Sequence, residues 1–170
     1  MLSALCGLKV NSQTWSSVDT IYNVVFTIKR KVPYCGGAAP SPEMVKRTSP
    51  VINANFIINY QEGYGDSLWE REFITDSTGK VRLNLPDGKY CLKGDYKNLP
   101  FDDFYKMHKK VNDNFNLYGD TTCYYKWWKS CNYIFEVTGG TDVKEIEVIL
   151  MSRCFTGENP CHRYIGPYPP

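Results

Sequence analysis

The stretch Tyr124-Tyr125-Lys126-Trp127-Trp128 is the densest concentration of binding chemistry in the chain. Sugar rings carry apolar C–H faces that stack on indole and phenol rings, so Tyr124, Tyr125, Trp127 and Trp128 in an exposed setting would make a ligand surface. The competing reading is a mostly buried cap over one end of the fold, since large aromatics are well buried on average. The run lies within Asn114–Ser130, a stretch that reads as irregular, so the four rings are expected on a loop.

Acid–base and metal chemistry is sparse. The two His, His108 and His162, are far apart in sequence, and no Cys-x-x-Cys pair occurs. Spacing therefore builds neither a zinc set nor a nucleophile–base constellation. His108 falls on the apolar face of an expected helix and reads as a packed residue. Asp76 has the oxygen chemistry of a Ca²⁺ ligand, but Asp76-Ser77-Thr78-Gly79 explains it with less, as a turn residue bonding its own backbone. Asp102 and Asp103 read as first-turn acids of a helix rather than a catalytic pair. No metal and no cofactor is expected.

Seven Cys in 170 residues exceed what a reducing cytosol needs and point to an oxidising compartment. Cys6 stands apart, in an apolar scrap (Met1-Leu-Ser-Ala-Leu-Cys6-Gly) resembling the end of a secretory signal. Leu5 stands where a lipobox has a small residue, and no basic residues precede it. Cys6 thus reads either as a lipid-acceptor cysteine or as part of a leader remnant or truncated start. The other six cysteines permit fifteen connectivities. Cys123 and Cys131 enclose a short loop and are expected to pair, leaving Cys35, Cys91, Cys154 and Cys161 in undetermined pairing.

The formal net charge is +2, and the chain has no long basic block. Nothing asks for nucleic acid, and a membrane enters only through a lipid anchor at Cys6. Lys29-Arg30-Lys31 reads as a solvated strand end. No segment has the apolar length to span a bilayer.

Short strands must position these residues. Val81, Leu83 and Leu85 alternate with polar residues between two turn signals, Asp76–Gly79 and Pro86-Asp87-Gly88. Gly79 and Gly88 are expected at positive φ. Ile21–Val32, Asn53–Tyr60, Leu68–Ile74, a run from Tyr90, Cys131–Thr138 and Lys144–Met151 supply further strands. Ser41-Pro42-Glu43 reads as the start of a single helical turn through Arg47. Asn98–Asn112 reads as a helix, with Phe101, Phe104, His108 and Val111 on one face. The tail from Cys154 carries Pro160, Pro167, Pro169 and Pro170 and is expected to be irregular. At this length one domain is expected: a leader or linker over 1–20, a sandwich over 21–154 with an insert at 98–130, and a Pro-rich tail over 155–170 packed on it. The fold class is all-β, an antiparallel sandwich of about seven strands with one inserted helix.

Phe73-Ile74-Thr75-Asp76, Gly79, Val81, Leu83, Leu85-Pro86, Gly88 and Tyr90 resemble the core motif of carboxypeptidase regulatory-like domains, which are transthyretin-like (prealbumin-like) sandwiches. The resemblance runs from about Val24 to Met151. Val81 and Leu83 stand where Phe is common, and Asp87 where a second Pro is common. Tyr34-Cys35-Gly36-Gly37-Ala38, with Pro40-Ser41, Glu43 and the closing Gly166-Pro167-Tyr168-Pro169-Pro170, is similar to small Cys-rich envelope proteins of Bacteroidota with no assigned activity. These resemblances imply a prealbumin-like fold and export to the periplasm or outer-membrane surface, and they pass on no catalytic residues. The expected role is a non-enzymatic accessory or ligand-binding module, with a glycan or another envelope protein as partner. The alternative is a metal-dependent enzyme on the same fold, such as an intradiol-dioxygenase-like protein, whose iron takes two Tyr and two His. Hydroxyisourate hydrolases of this fold need His in strands, of which His162-Arg163-Tyr164 is only a superficial echo.

Overall fold

Apolar alternation along β1 (Ile21–Lys31) puts Val24, Phe26 and Ile28 on one face, and all three are fully buried. The structure is a computed structural model that describes residues 20–61, 69–109, 115–117, 120–139 and 143–167. Cys6 and the expected leader lie outside the described residues, as does Val111. β1 is the middle of the first sheet. β5 (Lys80–Pro86) pairs antiparallel with its first part, and β2 (Thr48–Pro50) takes the same edge further along. On the other edge β9 (Val143–Met151) runs parallel to β1, from Asn23↔Val143 to Lys31↔Met151. The expected all-β sandwich is present, with this one parallel pair, β1–β9, among its antiparallel ones. The cause is that β9 enters from the strand Tyr133–Val137 in the opposite sheet, and a crossover, unlike a hairpin, can bring the chain back in the same direction.

The second sheet has the order β4-β3-β6-β8, all antiparallel, built from β3 (Asn55–Gln61), β4 (Trp69–Ile74), β6 (Gly88–Gly94) and β8 (Tyr133–Val137). Its inner face supplies Phe56, Ile58, Phe73, Tyr90, Leu92, Phe135 and Val137 to one core shared with Val24, Phe26, Leu83, Leu85, Val148 and Leu150 of the first sheet. The architecture is an all-β sandwich with few helices. Phe135 holds the middle, 5.0 Å edge-on from Phe26 and 5.2 Å stacked on Tyr90.

The Thr75–Gly94 stretch crosses this sandwich twice. β4 and β6 belong to one sheet and β5 to the other, so its two turns are inter-sheet corners. At the first, Asp76 Oδ1 accepts from Thr78 N (2.7 Å), Thr78 Oγ1 (2.7 Å) and Lys80 N (2.9 Å). These bonds hold its carboxyl below the usual carboxylate range, the Lys80 amide contributing most. Thr75, 1% exposed, donates from Oγ1 to Val51 O at 2.7 Å and accepts from Ala54 N at 3.0 Å. Gly79 has φ +76° and Gly88 φ +151°, as the turn chemistry requires. A Cβ on Gly79 would meet Ile28 O at 2.8 Å.

Short helix α1 (Pro42–Lys46) starts as read, with Ser41 Oγ accepting from Met44 N at 3.3 Å. A 3-10 turn (Asp95–Asn98) precedes α2 (Phe101–His108), which starts later than expected because Leu99, the residue before Pro100, is extended. The expected irregular segment instead contains α3 (Thr121–Lys129), so the described residues of the insert form two α-helices. Asp120 starts α3 by accepting from Thr122 N (3.0 Å) and Cys123 N (3.3 Å). The tail is not wholly irregular. β10 (His162–Tyr164) pairs with β7 (Phe115–Leu117), because Pro160 and Pro167 flank those three residues without interrupting them.

The cysteines pair as Cys35–Cys154, Cys91–Cys131 and Cys123–Cys161. The expected Cys123–Cys131 bridge is therefore wrong, and the reason is α3. The six helical steps from Cys123 to Lys129 advance roughly 9 Å at 1.5 Å each, and extended Ser130 follows before Cys131, beyond the reach of a disulfide. Cys35–Cys154 closes the ends of the parallel pair β1–β9, with Cα atoms 5.5 Å apart. Three disulfides fit an exported protein, extracellular or of the envelope. Among the described residues, no helix is long and apolar enough to cross a membrane.

Candidate functional site

Helical geometry sorts the aromatic run by i,i+3 spacing. Tyr124 and Trp127 turn inward, 0% and 8% exposed, into a second core with Phe104 and Cys161. Tyr125 is 42% exposed and Trp128 half-buried on the outward face. The four rings thus do not act together. Tyr124 and Trp127 are core, Tyr125 is exposed, and Trp128 is partly buried against the same second core.

The outward pair joins two rings from α2. Phe101 lies 5.3 Å from Tyr125 and 5.6 Å from Trp128, Tyr125 and Trp128 are 5.7 Å apart, and Tyr105 is 5.9 Å from Phe101. Trp128 is oriented by its Nε1, which donates to Leu99 O at 3.0 Å. Lys129 Nζ sits 4.9 Å over the Tyr125 ring and Lys109 Nζ 5.1 Å over Tyr105. The result is an aromatic patch edged by cations. The Cys123–Cys161 bridge ties α3 beneath it to the tail.

The inward pair faces a polar network. Tyr96 OH donates to Glu158 Oε2 at 2.8 Å, and Asn132 Nδ2 reaches both Tyr96 OH (3.2 Å) and Glu158 Oε2 (3.3 Å). The other carboxylate oxygen of Glu158 takes Arg30 at 3.0 Å, which joins the tail to β1. Burial, and then the Glu158 charge, push the Tyr96 phenol far above its ordinary value. Lys97 lies buried with Nζ donating to Ser130 O (3.0 Å) and Oγ (3.2 Å) and 5.8 Å over Trp127. Burial, reinforced by the nearby Lys93 charge, lowers its amine to about 8.

The fold brings the two distant His into this region. Asn159 donates from Nδ2 to His108 O at 3.4 Å and lies 3.2 Å from His162 Nδ1. His162 Nε2 shares a 2.7 Å hydrogen bond with Tyr124 OH. Burial holds both imidazoles below their ordinary value, with His162 adding repulsion at His108. Two Tyr and two His meet here, the ligand types an intradiol-type iron would take. They do not fit it. His162 has both ring nitrogens engaged, and His108 is packed against Phe104, Trp127 and Tyr96 at 4.5, 4.8 and 5.3 Å. Among the described residues, no group of three His, Cys, Asp or Glu is placed to hold a metal.

Sequence reasoning missed the partners of the aromatic run: Phe101 and Tyr105 on one side, Tyr96, Glu158 and Arg30 on the other. One local signal was available. Asp120-Thr121-Thr122 is an N-cap pattern, and a helix starting there would have separated Tyr124 and Trp127 from Tyr125 and Trp128. Nothing local links Arg30 to Glu158, which are 128 residues apart.

No family model matches the chain, and no curated protein matches it. Among solved structures it is similar to the Bacillus anthracis TIE protein, with TM-score 0.32, 16% identity, and coverage of 76% of this chain and 17% of that one. It is also similar to the major plantain pollen allergen Pla l 1, with TM-score 0.41, 10% identity, and coverage of 84% of this chain and 100% of that one. A third is the full-length major pilin SpaD from Corynebacterium diphtheriae, with TM-score 0.37, 11% identity, and coverage of 79% and 32%. The chain thus spans less than a third of the TIE protein and of SpaD, and none of the three passes on an activity, ligand or partner.

Proposed function

We propose that this chain is a non-enzymatic accessory domain of the cell envelope, a carboxypeptidase regulatory-like (prealbumin-like) sandwich that binds glycan through the outward face of its helical insert. The observation that carries this reading is the division of the aromatic run by α3. Tyr124 and Trp127 anchor the helix, which leaves Tyr125 exposed beside Phe101 and the partly buried Trp128 with a fixed orientation. Rings held this way lose little freedom when a ligand stacks on them, so the ordering cost of binding is low. Each stacked ring contributes about 1 kcal/mol, which gives weak affinity for a simple sugar and useful retention on a polymer with many sites. The three disulfides agree with work outside the cytoplasm, and lipidation of Cys6 would tether the domain to a membrane.

Affinity electrophoresis through gels cast with soluble polysaccharides tests this. The parent should be retarded by at least one polysaccharide, and the double variant Tyr125→Ala/Trp128→Ala should migrate freely while melting within a few degrees of the parent. Equal migration of parent and variant in every gel would show that the patch is scaffold.

A further inference from the structure

The three disulfides among the described residues differ in how open they are. Cys91 is 1% exposed and Cys161 0%, so Cys91–Cys131 and Cys123–Cys161 each have one end sealed in the protein. In Cys35–Cys154 neither cysteine is buried. Cys35 lies on the segment between β1 and α1, and Cys154 opens the tail. Thiol–disulfide exchange starts with a thiolate reaching one of the two sulfurs, so access helps to set which bridge reacts.

The backbone next to Cys154 is strained. Thr156 N donates to Cys154 O at 2.8 Å, and Phe155 between them has φ +67°. A hydrogen bond from residue i+2 back to residue i around a positive central φ makes a γ-turn of the rare, strained kind. Glycine accepts that φ readily, whereas a bulky phenylalanine does not. Such a residue persists only where its surroundings over-determine it. Three ties do so here. They are the Cys35–Cys154 bridge, the two backbone bonds between Arg153 and Gly157 (2.7 and 3.2 Å), and the Phe155 ring stacked on Tyr164 at 4.1 Å. Disulfides that are exposed, or that hold strain, are the ones most readily reduced. Cys35–Cys154 is open and pins a strained turn.

We infer that Cys35–Cys154 is a redox-active site, opened by a dithiol reductant ahead of the other two bridges, and that its opening releases the turn at Phe155. One thiolate of the reductant attacks a bridge sulfur and forms a mixed disulfide, while the other cysteine leaves as a thiolate and takes a proton. The second thiol of the reductant, losing its proton, then attacks the mixed disulfide. That step frees the second cysteine and closes the reductant's own disulfide, so two electrons pass to the protein. The reduced form stays assembled, because the β1–β9 ladder runs to Lys31↔Met151 and Ser152 N donates to Lys31 O at 2.9 Å. The two thiols therefore remain near each other, and the bridge can close again. The effect reaches the interior through Glu158, which follows the turn and holds both Arg30 and Tyr96. This inference does not rest on the outward glycan surface.

Graded dithiothreitol, followed by alkylation of the full chain and peptide mapping, tests this. Cys35 and Cys154 should become labelled together at about tenfold or more lower concentration than Cys91, Cys131, Cys123 or Cys161. Phe155→Gly removes the strain of the positive φ and should raise the concentration needed at this bridge about threefold or more. Tyr164→Ala, which loses only the stacking partner, should not raise it. In the unmodified chain with that one bridge reduced, NMR amide signals should shift over Tyr34–Gly37 and Arg153–Glu158 while those of β3 and β6 stay in place. Simultaneous reduction of all three bridges, earlier opening of another, or an unchanged requirement in Phe155→Gly would each overturn the inference. So would shifts spread over the whole sandwich, which would make the bridge a structural staple.

Discussion

The sandwich and its helical insert are held together in different ways. The sandwich core joins strands from both sheets and is mostly aliphatic and phenyl, with Val24, Phe26, Ile58, Leu85, Leu92 and Val148 among its fully buried members. The insert core consists of Phe104, Tyr124, Trp127 and Cys161. One is large enough to bury most of what touches it. The other is a satellite whose rings carry polar handles, and it depends on Tyr124–His162, Lys97–Ser130 and the Cys123–Cys161 bridge. A small core buries little area per residue ordered, so cross-links and directed hydrogen bonds must hold it in place. The candidate ligand surfaces lie on this second region, where side chains with polar ends remain partly open.

The largest expected effect lies in the first region. Phe26→Ala removes a fully buried ring packed against Phe73 and Phe135 and should cost about 3–5 kcal/mol of global stability by chemical denaturation. A loss below 1 kcal/mol would mean that the two sheets do not share one core.

Next is the bridge of the second region. Cys123→Ser with Cys161→Ser should cost about 2–4 kcal/mol, and the cost should be local. Hydrogen exchange should speed up across α2 and α3 while β1, β3 and β6 stay protected. Uniform acceleration over the whole chain would erase the distinction between the regions.

A glycine pair sharpens the contrast at smaller scale. Gly79→Ala combines a φ of +76° with a Cβ pressed against the Ile28 carbonyl and Pro50, and should cost roughly 2–3 kcal/mol. Gly157→Ala, at φ +62° with open space around the added carbon, should cost about 1 kcal/mol from backbone strain alone. Equal melting temperatures for the two variants would contradict this.

The smallest effect is a pH dependence confined to the insert and tail. His108 and His162 have folded-state values below the ordinary 6.5, so the unfolded chain binds protons first as pH falls. Stability from this source is complete above about pH 6.5 and declines below it, toward each folded value. His108 also faces Lys97, which opposes its protonation, and Glu158, which favours it. Exchange protection in α2 and α3 should fall between pH 7 and pH 5 before that of β1, and His108→Phe should flatten the trend. A sandwich that weakens first in this range would reverse the assignment.

The strands were legible because their signal is local. Val24, Phe26 and Ile28, or Leu83 and Leu85, alternate with polar neighbours, and a half-buried strand needs no more than that. The Asp76–Gly79 corner was equally legible, since its hydrogen bonds run within five residues. The pairing of those strands was less so. β5 sits between β4 and β6 in sequence yet lies in the opposite sheet, and short turns can make an inter-sheet corner as readily as a hairpin.

The candidate surfaces were legible by residue type but not by arrangement. Tyr124–Trp128 is conspicuous in any reading, yet which rings face solvent depends on a helix that aromatic residues only weakly favour. Composition and period by themselves determined an oxidising compartment, a sandwich and a rich supply of aromatics. Only the tertiary structure decided that Cys123 reaches Cys161, that Arg30 meets Glu158, and that His108 lies among three rings with Nε2 unpaired among the described residues. The physical reason is that alternation and turn chemistry act over a few residues. Disulfide pairing and cleft formation depend instead on which distant segments packing brings within a few ångströms, and no local pattern encodes that distance.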